Sequence, residues 1–206
     1  MLVAITGGTS SGKTTLARAV SAELADVPHL VLSQDTYFSD LSHLPEDQRE
    51  AARTANRPEA VNWDALVPQL EALKRGVGIT HPVPGTRAHA RGDAPSSLGP
   101  VDVALVEGHL LLTEERVRDL ADLKVFVECD VEVRVLRRIT RDTGRAPENP
   151  EALQRSLAWY WRDVLPNNQR YTTLQRGYAD LIIPHDKPNP LAAPLLAACI
   201  RHLLAG

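Results

Sequence analysis

The 206-residue sequence predicts an α/β fold: a five-stranded parallel sheet with helices on both faces, in one domain over residues 1–206. Three observations predict it. Five short, evenly apolar runs stand at 2–5, 30–32, 103–106, 125–127 and 181–183. They are too short and too uniformly apolar for surface helices, so they read as strands buried on both faces. Stretches with helical patterning separate them, and strands alternating with helices specify a parallel sheet covered on two sides. The length suits one core.

The first strand leads directly into GGTSSGKTT at 7–15, which opens a helix over 14–25. Gly7, Gly12, Lys13 and Thr14 occupy the fixed positions of the phosphate-loop pattern G-x-x-x-x-G-K-[ST]. The amides through Thr9, Ser10, Ser11 and Thr15 complete an anion nest, backed by the positive end of the helix. Lys13 would reach the β- and γ-phosphates, and the Thr14 hydroxyl would ligate Mg²⁺. The chain is therefore expected to bind a nucleoside triphosphate with Mg²⁺, ATP first and GTP left open. The loop does not name the reaction.

The second strand, 30–32, ends at SQDTYF, which puts Asp35 at the strand mouth. A carboxylate there can orient a hydroxyl acceptor and take its proton, or it can cap a turn; the residues leave both open. Residues 39–62 are polar and broken by Pro45 and Pro58, and a helix follows over 63–75. Residues 76–100 carry five glycines and four prolines and read as a loop covering the substrate. The third strand, 103–106, delivers Glu107 to the same edge, a second candidate for Mg²⁺ or for the acceptor. His109, two residues on, receives no role. A helix is expected at 114–120, then the strand 125–127.

Over the next helix, 131–142, Arg134, Arg137, Arg138 and Arg141 recur at helical spacing. Arg145 follows. The stripe is either a solvated basic face or part of a lid, about 134–165, that brings guanidinium groups to a transferring phosphoryl and excludes water. A helix at 151–164, the last strand and a helix at 190–204 complete the chain. The loop at 7–15, Asp35 and Glu107 all follow carboxyl ends of strands, where sites in such sheets lie.

The net charge of −3 gives no electrostatic case for nucleic acid. No apolar run approaches a membrane span, and the chain enters a core strand within two residues, so a cytoplasmic protein without a signal peptide is expected. Cys129 and Cys199 read as reduced thiols. The four lysines, Lys13, Lys74, Lys124 and Lys187, form no guanine-reading tetrad, which counts against a GTPase switch. The expected partner is a small molecule; homo-oligomerisation is left open.

GGTSSGKTT, SQDTYF, NWD at 62–64, VEGHLLL at 106–112, RVLRRITRD at 134–142 and YADLIIP at 178–184 together resemble the superfamily of uridine kinases, nicotinamide riboside kinases and phosphoribulokinases. The resemblance implies Asp35 as catalytic base, Asp64 on the ribose hydroxyls, and Glu107 assisting Mg²⁺ or the acceptor. It also implies lid arginines on the phosphates, with Arg138 and Arg141 foremost and Arg137 beside them. In uridine kinases a β-hairpin carries a Pro…His-x-Arg pattern, and Pro82, His89 and Arg91 reproduce its spacing. Tyr37 and Trp63 stand beside the implied base and ribose aspartate as substrate contacts, or else as core aromatics. Two family features are missing: Pro84, Gly85 and Thr86 replace Tyr-Asp-Phe, and Trp159-Tyr160 replaces a Gln-Tyr pair. Both departures fall on the base pocket. The implied reaction is transfer of the ATP γ-phosphoryl group to a primary hydroxyl, first the 5′-OH of uridine or cytidine. Nicotinamide riboside or another sugar-like metabolite is the alternative acceptor, and a kinase-derived nucleotide-binding regulator the alternative class.

Overall fold

The predicted strands are all present in the computed structural model, which describes residues 1–144 and 150–206; Arg145 falls outside the described residues. In chain order the elements are β1 (Leu2–Gly7), α1 (Lys13–Glu23), β2 (His29–Ser33), α2 (Glu46–Ala52), α3 (Trp63–Lys74), β3 (Ile79–His81), α4 (Arg87–Ala90) and β4 (Ser96–Leu98). Then follow β5 (Val103–Glu107), α5 (Glu115–Leu120), β6 (Leu123–Glu128), α6 (Val131–Thr143), α7 (Pro150–Trp159), α8 (Leu165–Asn167), β7 (Leu181–Pro184) and α9 (Ala192–Ala205). The main sheet runs β2-β5-β1-β6-β7, every pair parallel.

The expectation of burial on both faces holds for β1 and β5 but not for the edge strands β2 and β7, where Val31, Leu181 and Ile182 are each 37% exposed because an edge strand has a neighbour on one side only. Alternation explains why the central strands read as unbroken apolar runs. In β1, Leu2 and Ala4 face a layer containing Leu66 and Leu70 of α3 and Val117 of α5. Val3 and Ile5 face the opposite layer, with Leu16 and Val20 of α1 and Leu196 and Ile200 of α9. Successive side chains of a strand point to opposite faces, so covering both faces demands apolar residues at every position. Leu66 and Leu70 have no exposed surface, and truncating either to Ala costs about 2–5 kcal/mol in such a core.

One feature follows the resemblance rather than the composition, and two differ from the sequence reading. The 76–100 segment contains an antiparallel hairpin, Ile79 opposite Leu98 and His81 opposite Ser96, with α4 at its far end. The 39–62 segment holds α2, whose acidic first turn, Glu46 and Asp47 after Pro45, favours a helix start. Its sequence, EDQREAA, carries no apolar stripe, so periodicity could not reveal it. The helix expected to stop at 164 instead continues through π-helical turns at Tyr160–Val164 and Asn168–Thr172. Pro166 cannot donate to the carbonyl four residues before it, and the widened turn at 160–164 precedes it.

Candidate active site

The phosphate loop joins β1 to α1 at the carboxyl edge of the sheet. Ser10 adopts a left-handed conformation, φ 60°, and Gly12 stands at φ 101°. A non-glycine residue held there is a strained position of the kind concentrated at functional sites. Helix α1 begins at Lys13 with no side chain capping it, so its first amides are left for an outside anion. Ser10 Oγ, Ser11 Oγ and His185 Nδ1 are buried atoms without hydrogen-bond partners among the described residues. Ser10 and His185 also line the cavity in front of the loop, where an anion would sit; Ser11 does not. From behind, Arg134 lies directly on Gly8, leaving no room for a Cβ. Its Nε donates to the Cys129 carbonyl at 3.1 Å and its Nη1 to Asn168 Oδ1 at 3.1 Å. Arg134 is thus a support of the loop, not a member of the cavity wall.

Lys13 is buried. Burial pushes its pKa down from the usual lysine value, while the charges of Glu107 and Asp35 pull it back up. Glu107, at the end of β5, is itself buried. Its Oε2 accepts from Thr14 Oγ1 at 3.1 Å and its Oε1 from Ser33 Oγ at 2.7 Å. No cluster of three or more His, Cys, Asp or Glu able to hold a metal exists among the described residues. The hard oxygens of Thr14 and Glu107 nevertheless fit Mg²⁺, which takes one or two protein oxygens and completes its shell with phosphates and water.

Loop, Asp35 and lid arginines line one cavity of about 1000 Å³. Thr9, Ser10, Gly12, Lys13, Thr14 and Thr15 form its floor, Asp35 one side, and Arg137, Arg138 and Arg141 of α6 the roof. The Asp35 side chain is 65% exposed and faces this space. The 3₁₀ turn Gln34–Tyr37 presents it, and Thr36 Oγ1 anchors the turn by donating to the Ser33 carbonyl at 2.7 Å. The roof already touches the floor. Arg138 Nη1 donates to Thr9 Oγ1 at 3.3 Å and Arg137 Nη1 to the Ser11 carbonyl at 3.5 Å. Asp142 joins the two lid helices, pairing with Arg138 and accepting from Ser156 Oγ at 2.8 Å.

Other predicted residues lie elsewhere. Gly7 and Ser11 are buried beneath the loop, and Glu107 sits behind it. Tyr37 has no exposed surface and packs in the α3 layer against the ring of His81. Trp63 also packs there, its Nε1–H donating to the Pro58 carbonyl at 2.9 Å. Tyr37 is a core residue, and Trp63 is partly buried against that core. Asp64 is not in the cavity: its side chain is 90% exposed and pairs with Arg116 at 3.1 Å. Asn62 caps α3, its Oδ1 accepting from the Ala65 amide; the helix direction then sends Asp64 outward, as a first-turn acid. His89 is exposed on α4, and Arg91 is held by Asp93 at 2.8 Å. Neither lines the cavity.

In their place the structure brings Arg53, Ala55, Asn56, His109, Trp159 and His185 to the wall. His109 Nε2–H donates to the Ala55 carbonyl, and Nδ1 lies 3.8 Å from Asp35 Oδ1. Burial, then the neighbouring Lys13 charge, hold its pKa down to about 4, so the ring is neutral at pH 7. The guanidinium groups of Arg53 and Arg162 lie over the Trp159 ring, at 5.8 and 4.8 Å from its centroid. Nothing in the spacing of 53–56 marks it as wall. The position of His109 two residues past Glu107, on the strand-end loop, was the one available signal for that residue.

An anion cradle and a solvent-facing carboxylate on one open cavity, with cationic side chains beside them, suit phosphoryl transfer. Fold and site together define a phosphate-loop kinase. Similarity to known proteins narrows the class. The model of the phosphoribulokinase/uridine kinase family matches residues 2–191. A uridine kinase of Geobacillus sp. strain WCH70 is 35% identical over 204 residues, 99% of this chain and 95% of that relative. One from Lactiplantibacillus plantarum is 34% identical over 99% of this chain and 96% of its own. The solved phosphoribulokinase from Rhodobacter spheroides has a TM-score of 0.61 over 89% of this chain and 69% of its own, at 16% identity, a likeness of fold. The chain belongs to the phosphoribulokinase/uridine kinase family and is a phosphotransferase with an alcohol acceptor. Among the described residues no helix is long and apolar enough to cross a membrane.

Proposed function

We propose that this kinase transfers the γ-phosphoryl group of ATP to the 5′-hydroxyl of a nucleoside, uridine or cytidine first. The observation that carries the reading is the shared cavity: Asp35 stands on the same space as Lys13, Thr14 and the three lid arginines. The names of the full-length relatives supply the acceptor class.

In this reading the loop amides and Lys13 hold the triphosphate, and Arg137, Arg138 and Arg141 offset charge on the transferring group. Asp35 takes the proton as the acceptor oxygen bonds to phosphorus. Mg²⁺, held by Thr14 and assisted by Glu107, would neutralise phosphate charge. Roof-to-floor contacts from Arg137 and Arg138 support a closed lid that excludes water, which limits wasteful hydrolysis. On the acceptor side, this reading assigns Asn56 rather than Asp64 to the sugar, and Trp159 with Arg53 rather than the hairpin to the base; its support is that these three side chains line the cavity.

The test is incubation with ATP·Mg²⁺ and a panel of ribonucleosides, nicotinamide riboside and simple sugars, with detection of ADP and a new phosphoester. Stoichiometric ADP and uridine or cytidine monophosphate are expected. ADP release independent of every acceptor would refute the transfer reading, and preference for a non-nucleoside would move the acceptor.

A further inference from the structure

Asp163 lies in the π-helical turn that follows α7 and is only 4% exposed. Four donors converge on it. Thr54 Oγ1 bonds to Oδ1, and the Ala55 amide and Asn56 Nδ2 bond to Oδ2 at 3.0 and 2.6 Å. Asn167 Nδ2 reaches the Asp163 carbonyl at 2.7 Å and Oδ1 at 3.5 Å. Three of these donors belong to consecutive residues, 54–56, two of which line the cavity. A buried carboxylate is costly unless such donors satisfy it, so the cluster holds that segment in one conformation.

Two consequences reach the cavity. Asn56 commits one N–H of its amide to Asp163 Oδ2, which fixes the orientation of the side chain and with it the direction of Oδ1 and of the second N–H. The Ala55 carbonyl is fixed where it takes the Nε2 proton of His109. His109 Nδ1 is then a bare lone pair on the side facing Asp35. The other tautomer would aim an N–H at that carboxylate and compete with the acceptor hydroxyl for it.

We propose that Asp163 is a positioning residue for phosphoryl acceptance: from behind the wall it fixes Asn56 and, through the Ala55 carbonyl, the His109 tautomer that leaves Asp35 free. This rests on the kinase reading above. The widened helical turn matters because it places Asp163 toward 54–56 immediately after the lid helix that carries Trp159. Lid and acceptor wall therefore share one anchor.

The experiment compares wild type, Asp163→Asn and the milder Thr54→Val by steady-state kinetics and by long-range ¹H–¹⁵N spectra of the histidine rings. Asp163→Asn faces at least one donor with another donor, and should lower kcat/KM for the acceptor by about tenfold or more. ATP KM should stay within about twofold, because the phosphate loop is untouched. His109 should show a single Nε2–H tautomer in wild type and lose it in Asp163→Asn, with Thr54→Val intermediate in both readouts. A merely structural role predicts reduced active fraction with unchanged KM values and an unchanged tautomer. Folded Asp163→Asn with wild-type acceptor kinetics overturns the proposal, as does an unaltered His109 tautomer. If Asp163→Asn does not fold, the tautomer and kinetics of Thr54→Val decide. The spectra need no substrate, so they decide the linkage even if no nucleoside is phosphorylated.

Discussion

Substituting Gly108 by alanine should move the proposed base without touching it. Gly108 follows Glu107 at the end of β5, and its backbone lies against the side chain of Gln34, the residue before Asp35. A Cβ built on Gly108 lies 2.9 Å from Gln34 Cδ, with Gln34 Oε1 and Cβ closer still. Ordinary contact begins at 3.4 Å. Gln34 cannot swing aside: it is fully buried, and its Oε1 accepts from the Leu110 amide at 3.1 Å. Its Cβ is one bond from the backbone, so the Gln34–Tyr37 turn must retreat, by about 1 Å. A misplacement of about 1 Å at a reacting group costs on the order of 10²-fold in rate. Overpacking of this kind also costs about 1–3 kcal/mol of stability. A coupled assay of ADP release with saturating nucleoside reads the rate, calorimetric titration with a non-hydrolysable ATP analogue reads nucleotide affinity, and urea denaturation reads stability. The expected result is a kcat lower by about 10²-fold, nucleotide affinity within about threefold, and a folded protein. A folded variant with kcat within twofold of wild type would refute the argument that the turn's distance from β5 sets the position of Asp35.

Three further outcomes follow from the same geometry. Asp35→Asn keeps the shape but removes the proton acceptor, and kcat should fall by about 10²–10⁴-fold while nucleotide affinity survives; near-normal turnover removes Asp35 from the mechanism. Asp64→Asn should leave acceptor KM within about twofold, whereas Asn56→Ala should raise it about tenfold or more, since only the second removes a cavity-wall hydrogen-bonding group; the reverse order would restore Asp64 as the sugar contact. His81 shares a 2.8 Å hydrogen bond with Thr36 Oγ1 beside Asp35, and burial, partly opposed by Asp93, lowers its pKa from the usual 6.5. As pH falls the unfolded chain takes up this proton first, so the stability tied to neutral His81 is complete above 6.5 and is lost through the lowered folded value. His81→Gln should flatten that part of the fall in urea midpoint, and an identical pH slope in both proteins would exclude the His81 contribution.

The sheet was legible because each of its strands is an apolar run bounded by a break, and burial on both faces writes itself into every residue of 2–5 and 103–106. The phosphate loop was legible for a different reason: its backbone needs Gly12 at positive φ and its chemistry needs Lys13 and Thr14 next to it. Helix α2 and the wall at 53–56 were not, since a solvent-facing helix and an irregular segment held by side chains carry no period. Trp63 and Tyr37 show the opposite limit. Adjacency to Asp64 and Asp35 suggested contact with substrate, yet Tyr37 is part of the apolar layer and Trp63, at the start of α3, packs against it.

Local order along the chain was enough to establish the α/β class, the phosphate loop and the strand-end carboxylates, because backbone conformation and burial impose residue types at fixed spacing. The composition of the acceptor wall came only with folding. Asp163 meets Thr54, Ala55 and Asn56, and His109 meets Ala55 and Asp35, across separations of 54 to 109 residues. No periodicity spans such distances. A hydrogen bond between remote residues leaves no spacing in the sequence, and it forms only once the sheet and the widened helix have brought its two ends together.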